Sequence, residues 1–159
     1  MQQPQPVDPS ILAAEAKALA LAADRASLAT RLARTDQPGL AAGHPYVSLV
    51  LIAWEAPFRP LLFLSTLADH TKNLWSDPSA SLLIDGTAGL AEPLAGARVT
   101  LLGKLTRHPD QSQKQRYVER HPGAARYIDF PDFSLYAMDV ERMHLVAGFG
   151  RIAWLPAPP

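Results

Sequence analysis

Residues 62–78, LFLSTLADHTKNLWSDP, begin as an apolar run of strand character and end as a polar helix closed by Asp77-Pro78. Thr66-Leu67-Ala68-Asp69 fits the capping-box pattern and predicts a helix that starts at Thr66 and covers about 67–76. The first-turn N–H groups of such a helix lack intrahelical partners, and with the helix dipole they form an anion site. The hydroxyls of Ser65 and Thr66 would donate to that anion, with His70 and Lys72 available for charge. The same residues also read as a solvated surface helix with Leu67, Thr71 and Leu74 toward the core.

Outward from this segment, the chain alternates strands with turns. Residues 46–56, YVSLVLIAWEA, are rich in β-branched and aromatic side chains and read as one strand. Pro57 breaks it, and 59–65 reads as its hairpin partner. Residues 27–33 alternate Leu28, Thr30 and Leu32 against Ser27, Ala29 and Arg31, the pattern of a half-buried strand. The loop that follows, RTDQPGLAAGHP, carries two Gly and two Pro. Strands are expected again at 80–87, 97–108 and 133–148, with Leu135, Ala137, Met143 and Leu145 facing inward. Gly103 inside the second of these predicts a bulge or a close backbone approach. Helices are expected at 9–25, with Asp8 or Ser10 as cap, and at 111–121, stopped by Pro122. Residues 1–8 and 156–159 read as loose ends. About six antiparallel strands with short helices and no βαβ rhythm predict a mainly β protein, a small barrel in one domain over 1–159.

The 159 residues suffice to bury a core without metals or disulfides. Fifteen basic and fifteen acidic residues cancel, so no overall field draws nucleic acid or an anionic membrane. Zero cysteines exclude a disulfide framework, thiolate metal sites and cysteine nucleophiles, and they fit a reducing, cytoplasmic setting. No segment reaches the roughly 20 apolar residues of a membrane helix. GxGxxG, Walker A, HExxH and GxSxG patterns are absent. The five histidines, at 44, 70, 108, 121 and 144, show no metal-ligand spacing, so no metal site is expected. Asp129 and Asp132 flank a proline and read as turn formers. No general acid or base stands out, which suits electron or hydride transfer better than hydrolysis.

The order HPYVSLV, FLSTLADHTKNLWSDPSASLLI, ARVTLLGKL resembles the pyridoxamine 5′-phosphate oxidase-like family of FMN-binding split barrels over about 26–155. Within it, RHPGAARYIDFPDF and the ending Ala147-Gly148-Phe149-Gly150-Arg151 resemble the haem-utilisation (HugZ-type) subfamily. The resemblance implies a six-stranded antiparallel split β-barrel of Greek-key type, forming a homodimer with FMN at the subunit interface. It places Ser48, Leu49 and Val50 along the flavin ring and Ser65 and Thr66 at the phosphate. His70, Thr71 and Asn73 follow on the helix, Arg98 adds charge from another strand, and Trp154 covers the ring from the partner chain. His70 stands where many relatives carry Lys, and it is neutral at pH 7 unless a phosphate raises its pKa. The chain ends soon after Trp154, so pyridoxamine phosphate is not the expected substrate.

The function expected on this basis is that of an FMN-binding oxidoreductase of unknown substrate and electron donor. The alternatives are a haem-binding protein on the same fold, with His144 as a candidate iron ligand, or a barrel that has lost its cofactor. Ser48 also reads as a packed, backbone-bonded hydroxyl, Arg151 as a salt-bridge residue, and Trp54 and Trp154 as core or interface anchors.

Overall fold

The computed structural model describes residues 8–33, 38–148 and 150–159. The expected loose start over 1–7, part of the RTDQPGLAAGHP loop and Phe149 of the C-terminal motif lie outside the described residues.

Helix α1 (Pro9–Ala22) starts where the sequence predicts, with the Asp8 side chain accepting from the Ser10 N–H and Pro9 at the first turn. It ends at Ala22, before the expected 25, because Arg25 already belongs to a strand. Leu12, Ala16 and Ala20 form its buried stripe at spacings of four.

Among the described residues eight strands follow, where six were expected. They are β1 (Arg25–Arg31), β2 (Pro45–Leu51), β3 (Ala53–Glu55), β4 (Arg59–Ser65), β5 (Ser79–Asp85), β6 (Ala97–Arg107), β7 (Phe133–Ala147) and β8 (Ile152–Pro156). Helix α2 (Asp69–Ser76) lies between β4 and β5, and α3 (Lys114–Arg120) between β6 and β7. Two features account for the larger count. The expected 46–56 strand divides at Ile52, which is fully buried and whose N–H bonds to the Asp24 carbonyl at 2.9 Å. That turn sends β2 to pair with β1 and β3 to pair with β4. The second feature is the apolar stretch after Gly150, which pairs as β8 with the distal half of β7.

All pairings are antiparallel, in the order β2-β1-β5-β6-β7-β4-β3, with β8 also on β7. The sheet curls so that one face encloses a core built on Leu28, Ile52, Leu62, Leu82, Leu101, Met143 and Leu145. A second cluster, with Leu61, Phe63, Tyr117, Leu135 and Ala137, lies between the sheet and α3. Strand β4 feeds both cores, so Pro60 to Leu64 are all buried. Each such side chain contributes about 1.5–3 kcal/mol on burial.

The expected irregularity at Gly103 is present. The β6/β7 register jumps from Leu102↔Arg142 to Gly103↔Val140, leaving Glu141 as the extra residue of a bulge. A Cβ on Gly103 would stand 2.0 Å from the Asp139 carbonyl oxygen, so no other residue fits without a backbone shift.

The barrel is not closed. Among the described residues β2 pairs only with β1, and β3 leaves β4 after Leu61, so Leu62–Ser65 pair with β7 alone. The split therefore runs between the free edge of β2 and the distal half of β4.

Candidate functional site

A cleft of about 270 Å³ occupies that split. Strand β2 contributes Leu49, Val50 and Leu51, and β4 contributes Phe63, Leu64 and Ser65. Ala68 and His70 close one end, and Tyr117, Tyr127 and Phe133 form an aromatic wall. Phe63 is the hub of that wall, with ring centroids 5.7 Å from Tyr117, 6.0 Å from Tyr127 and 5.2 Å from Phe133. Burial, with Tyr127 beside it, pushes the Tyr117 hydroxyl above its ordinary pKa, so it stays protonated and can donate a hydrogen bond.

Leu49, Val50, Ser65 and His70, of the residues named from the sequence, come together in this cleft. Ser48 lies against His70, its Oγ 3.0 Å from the imidazole Nδ1. Burial lowers the His70 pKa and the neighbouring Asp69 raises it less, so the ring is uncharged at neutral pH.

The rest of the anion site is not built as expected. Helix α2 starts at Asp69, capped by Ala68 with no side-chain bond, so Thr66 is not the N-cap. The reason is Asp132, which captures the segment first. Its carboxylate accepts from Ser65 Oγ at 2.5 Å and its carbonyl accepts from the Thr66 N–H. Ser65 Oγ in turn accepts from the Leu67 N–H. Three groups expected to face an anion are thus already paired. The acidic Asp69 occupies the first turn, and Lys72 sits 3.6 Å from it.

Thr71 and Asn73 face inward. Thr71 is fully buried. Asn73 is a structural clamp, its Oδ1 accepting from the Ala33 N–H and its Nδ2 donating to Thr30 Oγ1, both at 3.0 Å.

Arg98 and Trp154 do not line the cleft. One register row of the sheet reads Leu49–Ser27–Leu83–Thr100–His144–Trp154. Five strand spacings separate its ends, roughly 24 Å along the sheet. Arg98 is on β6, where its Nη1 donates to the Leu94 and Gly96 carbonyls. His144 stacks on Trp154 at 4.5 Å between ring centroids. Arg151 pairs with Glu15 of α1, and Trp54 packs on Phe58.

The aromatic wall and Asp132 were not singled out from the sequence as site residues. The cluster of Tyr127, Phe130 and Phe133 around Pro131 was the available signal, but nothing local ties it to Phe63. A larger hollow, about 390 Å³, opens on the outer sheet face over Ala29, Ser81 and Leu102. Its charged residues Arg31, Lys104 and Glu141 are exposed to solvent, and none of the candidate site residues named from the sequence lines it.

A curled antiparallel sheet with a cleft at its open seam defines a split β-barrel of the pyridoxamine phosphate oxidase-like type. The chain belongs to the CREG beta-barrel family, whose model matches residues 8–158. It is 38% identical over 109 residues to the chloroplastic haem oxygenase HOZ of Arabidopsis thaliana, covering 67% of this chain and 33% of that protein. The chain therefore spans about a third of that curated relative. A haem-binding protein from Mycobacterium smegmatis superposes with a TM-score of 0.78 at 32% identity, over 95% of this chain and 60% of that one. A Clostridium acetobutylicum protein of the pyridoxinephosphate oxidase family, related to general stress protein 26, shares the fold at TM-score 0.67 and 14% identity. That match covers 94% of this chain and 96% of that one. Among the described residues no helix is long and apolar enough to cross a membrane.

Proposed function

We propose that the protein binds haem in the cleft between β2 and β4 and takes part in haem handling. The observation that carries this reading is the character of the cleft, an aromatic slot with an uncharged imidazole and no assembled phosphate cradle. A slot of this kind suits the large apolar face of a tetrapyrrole. Two relatives above 30% identity, a haem oxygenase and a haem-binding protein, point to the same ligand. Bound haem would supply an iron centre whose reactivity the pocket's polarity and access set. Phe63, Tyr117, Tyr127 and Phe133 exclude water, and the protonated Tyr117 is available as a hydrogen-bond donor.

The working unit in this reading is a homodimer of single-domain protomers. At about 270 Å³ one cleft falls just below the usual range of roughly 300–1,000 Å³ for ligand pockets, and a second copy would enlarge it. The outer sheet face leaves Leu49 71%, Val47 63%, Trp154 64% and Ile152 61% exposed, an apolar surface suited to a second copy. Stacked outer faces would bring Trp154 and Arg98 of the partner subunit toward the cleft.

FMN is the second reading. The free edges of β2 and β4 offer backbone donors and acceptors to the polar rim of a flavin ring, and the family resemblance favours it. An FMN-dependent oxidoreductase would follow, with His70 taking its charge from the phosphate. Parallel titrations with hemin and FMN separate the readings. Hemin is expected to give a saturable Soret band, with FMN fluorescence unquenched. Saturable flavin quenching without a Soret band would overturn haem in favour of FMN, and the absence of both would leave a barrel without a cofactor.

A further inference from the structure

We infer that His70 is the side chain that bonds the iron, through Nε2, with Ser48 as the positioning residue that holds its ring. This inference rests on the haem reading above.

The first support is the hydrogen bond behind the ring. Ligating histidines characteristically have their other ring nitrogen bonded to a polar partner, which fixes tautomer and orientation. Ser48 Oγ stands 3.0 Å from His70 Nδ1. With Nδ1–H donating to the hydroxyl, the Nε2 lone pair is left over, and no described residue bonds to Nε2. Ser48 is itself held by β2, whose Ser48↔Leu28 register is anchored by a fully buried leucine. The support beneath the imidazole is therefore rigid sheet, not loop.

The second support is position. His70 is at the second residue of α2 and lines the aromatic cleft, so a ligand seated against Phe63 and Phe133 meets its ring. The other histidines are placed otherwise. His108 is buried, its Nδ1 accepting from the Asp110 N–H and its Nε2 against Glu55. His121 Nε2 bonds the Ile52 carbonyl at 2.7 Å. His44 is exposed beside β2, and His144 is stacked on Trp154 at the far end of the outer face.

The third support concerns the kind of metal. Among the described residues no three His, Cys, Asp or Glu side chains gather to hold a bare ion. An iron already held by four macrocycle nitrogens needs one axial side chain, and a lone neutral imidazole is enough.

The test is hemin titration of the full chain, followed by absorbance and electron paramagnetic resonance, with circular dichroism to establish folding. Wild type should show the signature of histidine-ligated iron. His70→Ala should lose it and regain it when free imidazole is added, while His144→Ala should match wild type. Ser48→Ala should keep the ligand but weaken hemin binding by about 10- to 100-fold, the usual cost of losing a partner behind a ligating histidine. Saturable hemin binding with an unchanged spectrum in folded His70→Ala overturns His70 as ligand and leaves the haem reading standing. No saturable binding by wild type overturns the haem reading itself. Should His70→Ala fail to fold, Ser48→Ala decides, and a Ser48→Ala spectrum and affinity identical to wild type overturn the inference.

Discussion

His70 yields its proton more readily than a free histidine because half-burial strips solvent from the cation, and Asp69 offsets only part of that. The unfolded chain therefore binds this proton more tightly than the folded one. Stability attributable to this residue is intact above the ordinary histidine value of 6.5. It falls as pH drops through that value, and the loss is complete below the lowered folded value. His70→Gln, which keeps a hydrogen-bonding group for Ser48, should remove that sensitivity. Urea titrations of both proteins between about pH 7.5 and 5 should show wild type losing ground to the variant, and parallel pH profiles would contradict the assignment. Asn73 acts at the same scale. Its amide satisfies the Ala33 N–H and the Thr30 hydroxyl, so Asn73→Ala strands two polar groups. A loss of about 2–6 kcal/mol is expected in denaturant unfolding, at roughly 1–3 kcal/mol for each orphaned group.

At the scale of elements, the β4–α2 junction shows how a distant residue overrides a local signal. The capping-box pattern at Thr66 is correct as a pattern, yet the helix begins two residues later, with Ala68 as its cap, because Asp132 takes Ser65 and the Thr66 N–H into the junction with β7. The bulge between β6 and β7 is the opposite case, where a single Gly carried the information. Gly103→Ala must push its new methyl into the Asp139 carbonyl or shift the strand. The expected cost is about 3 kcal/mol, the upper end for overpacking, read as a lowered denaturation midpoint at unchanged slope. A variant as stable as wild type would mean that the bulge can relax.

At the scale of the whole molecule, the outer sheet face is where the proposed homodimer would form. Leu49 and Trp154 stand at opposite ends of one row, so a face-to-face dimer buries both. Trp154→Glu places a charge on that surface and touches neither core, since Trp154 is exposed in the protomer. Light scattering should show the variant shifted toward monomer, with weakened hemin binding if the partner's Trp154 completes the cleft. A wild-type chain that is monomeric at all accessible concentrations would remove the dimer from the reading.

Strand character, the Asp8 cap of α1 and the Gly103 bulge were legible in the sequence because each is written in local propensity. Asp8 caps α1, β-branched runs became strands, and Leu135, Ala137, Met143 and Leu145 faced inward as their alternation predicts. The spaced motifs also placed the chain near the right class of barrel. The division at Ile52 was not legible, because it depends on a backbone bond to Asp24, twenty-eight residues away in sequence. The capture of Ser65 by Asp132 and the assembly of Phe63 with Tyr117, Tyr127 and Phe133 were hidden for the same reason. The sequence by itself determined which segments form strands and helices and which of their faces are apolar. Only the tertiary structure decided that Trp154 lies five strand spacings from Leu49, roughly 24 Å along the sheet, and that Asp132 pairs with the donors ahead of α2. Those outcomes turn on hydrogen bonds and sheet positions between residues far apart in the chain, which no local pattern encodes.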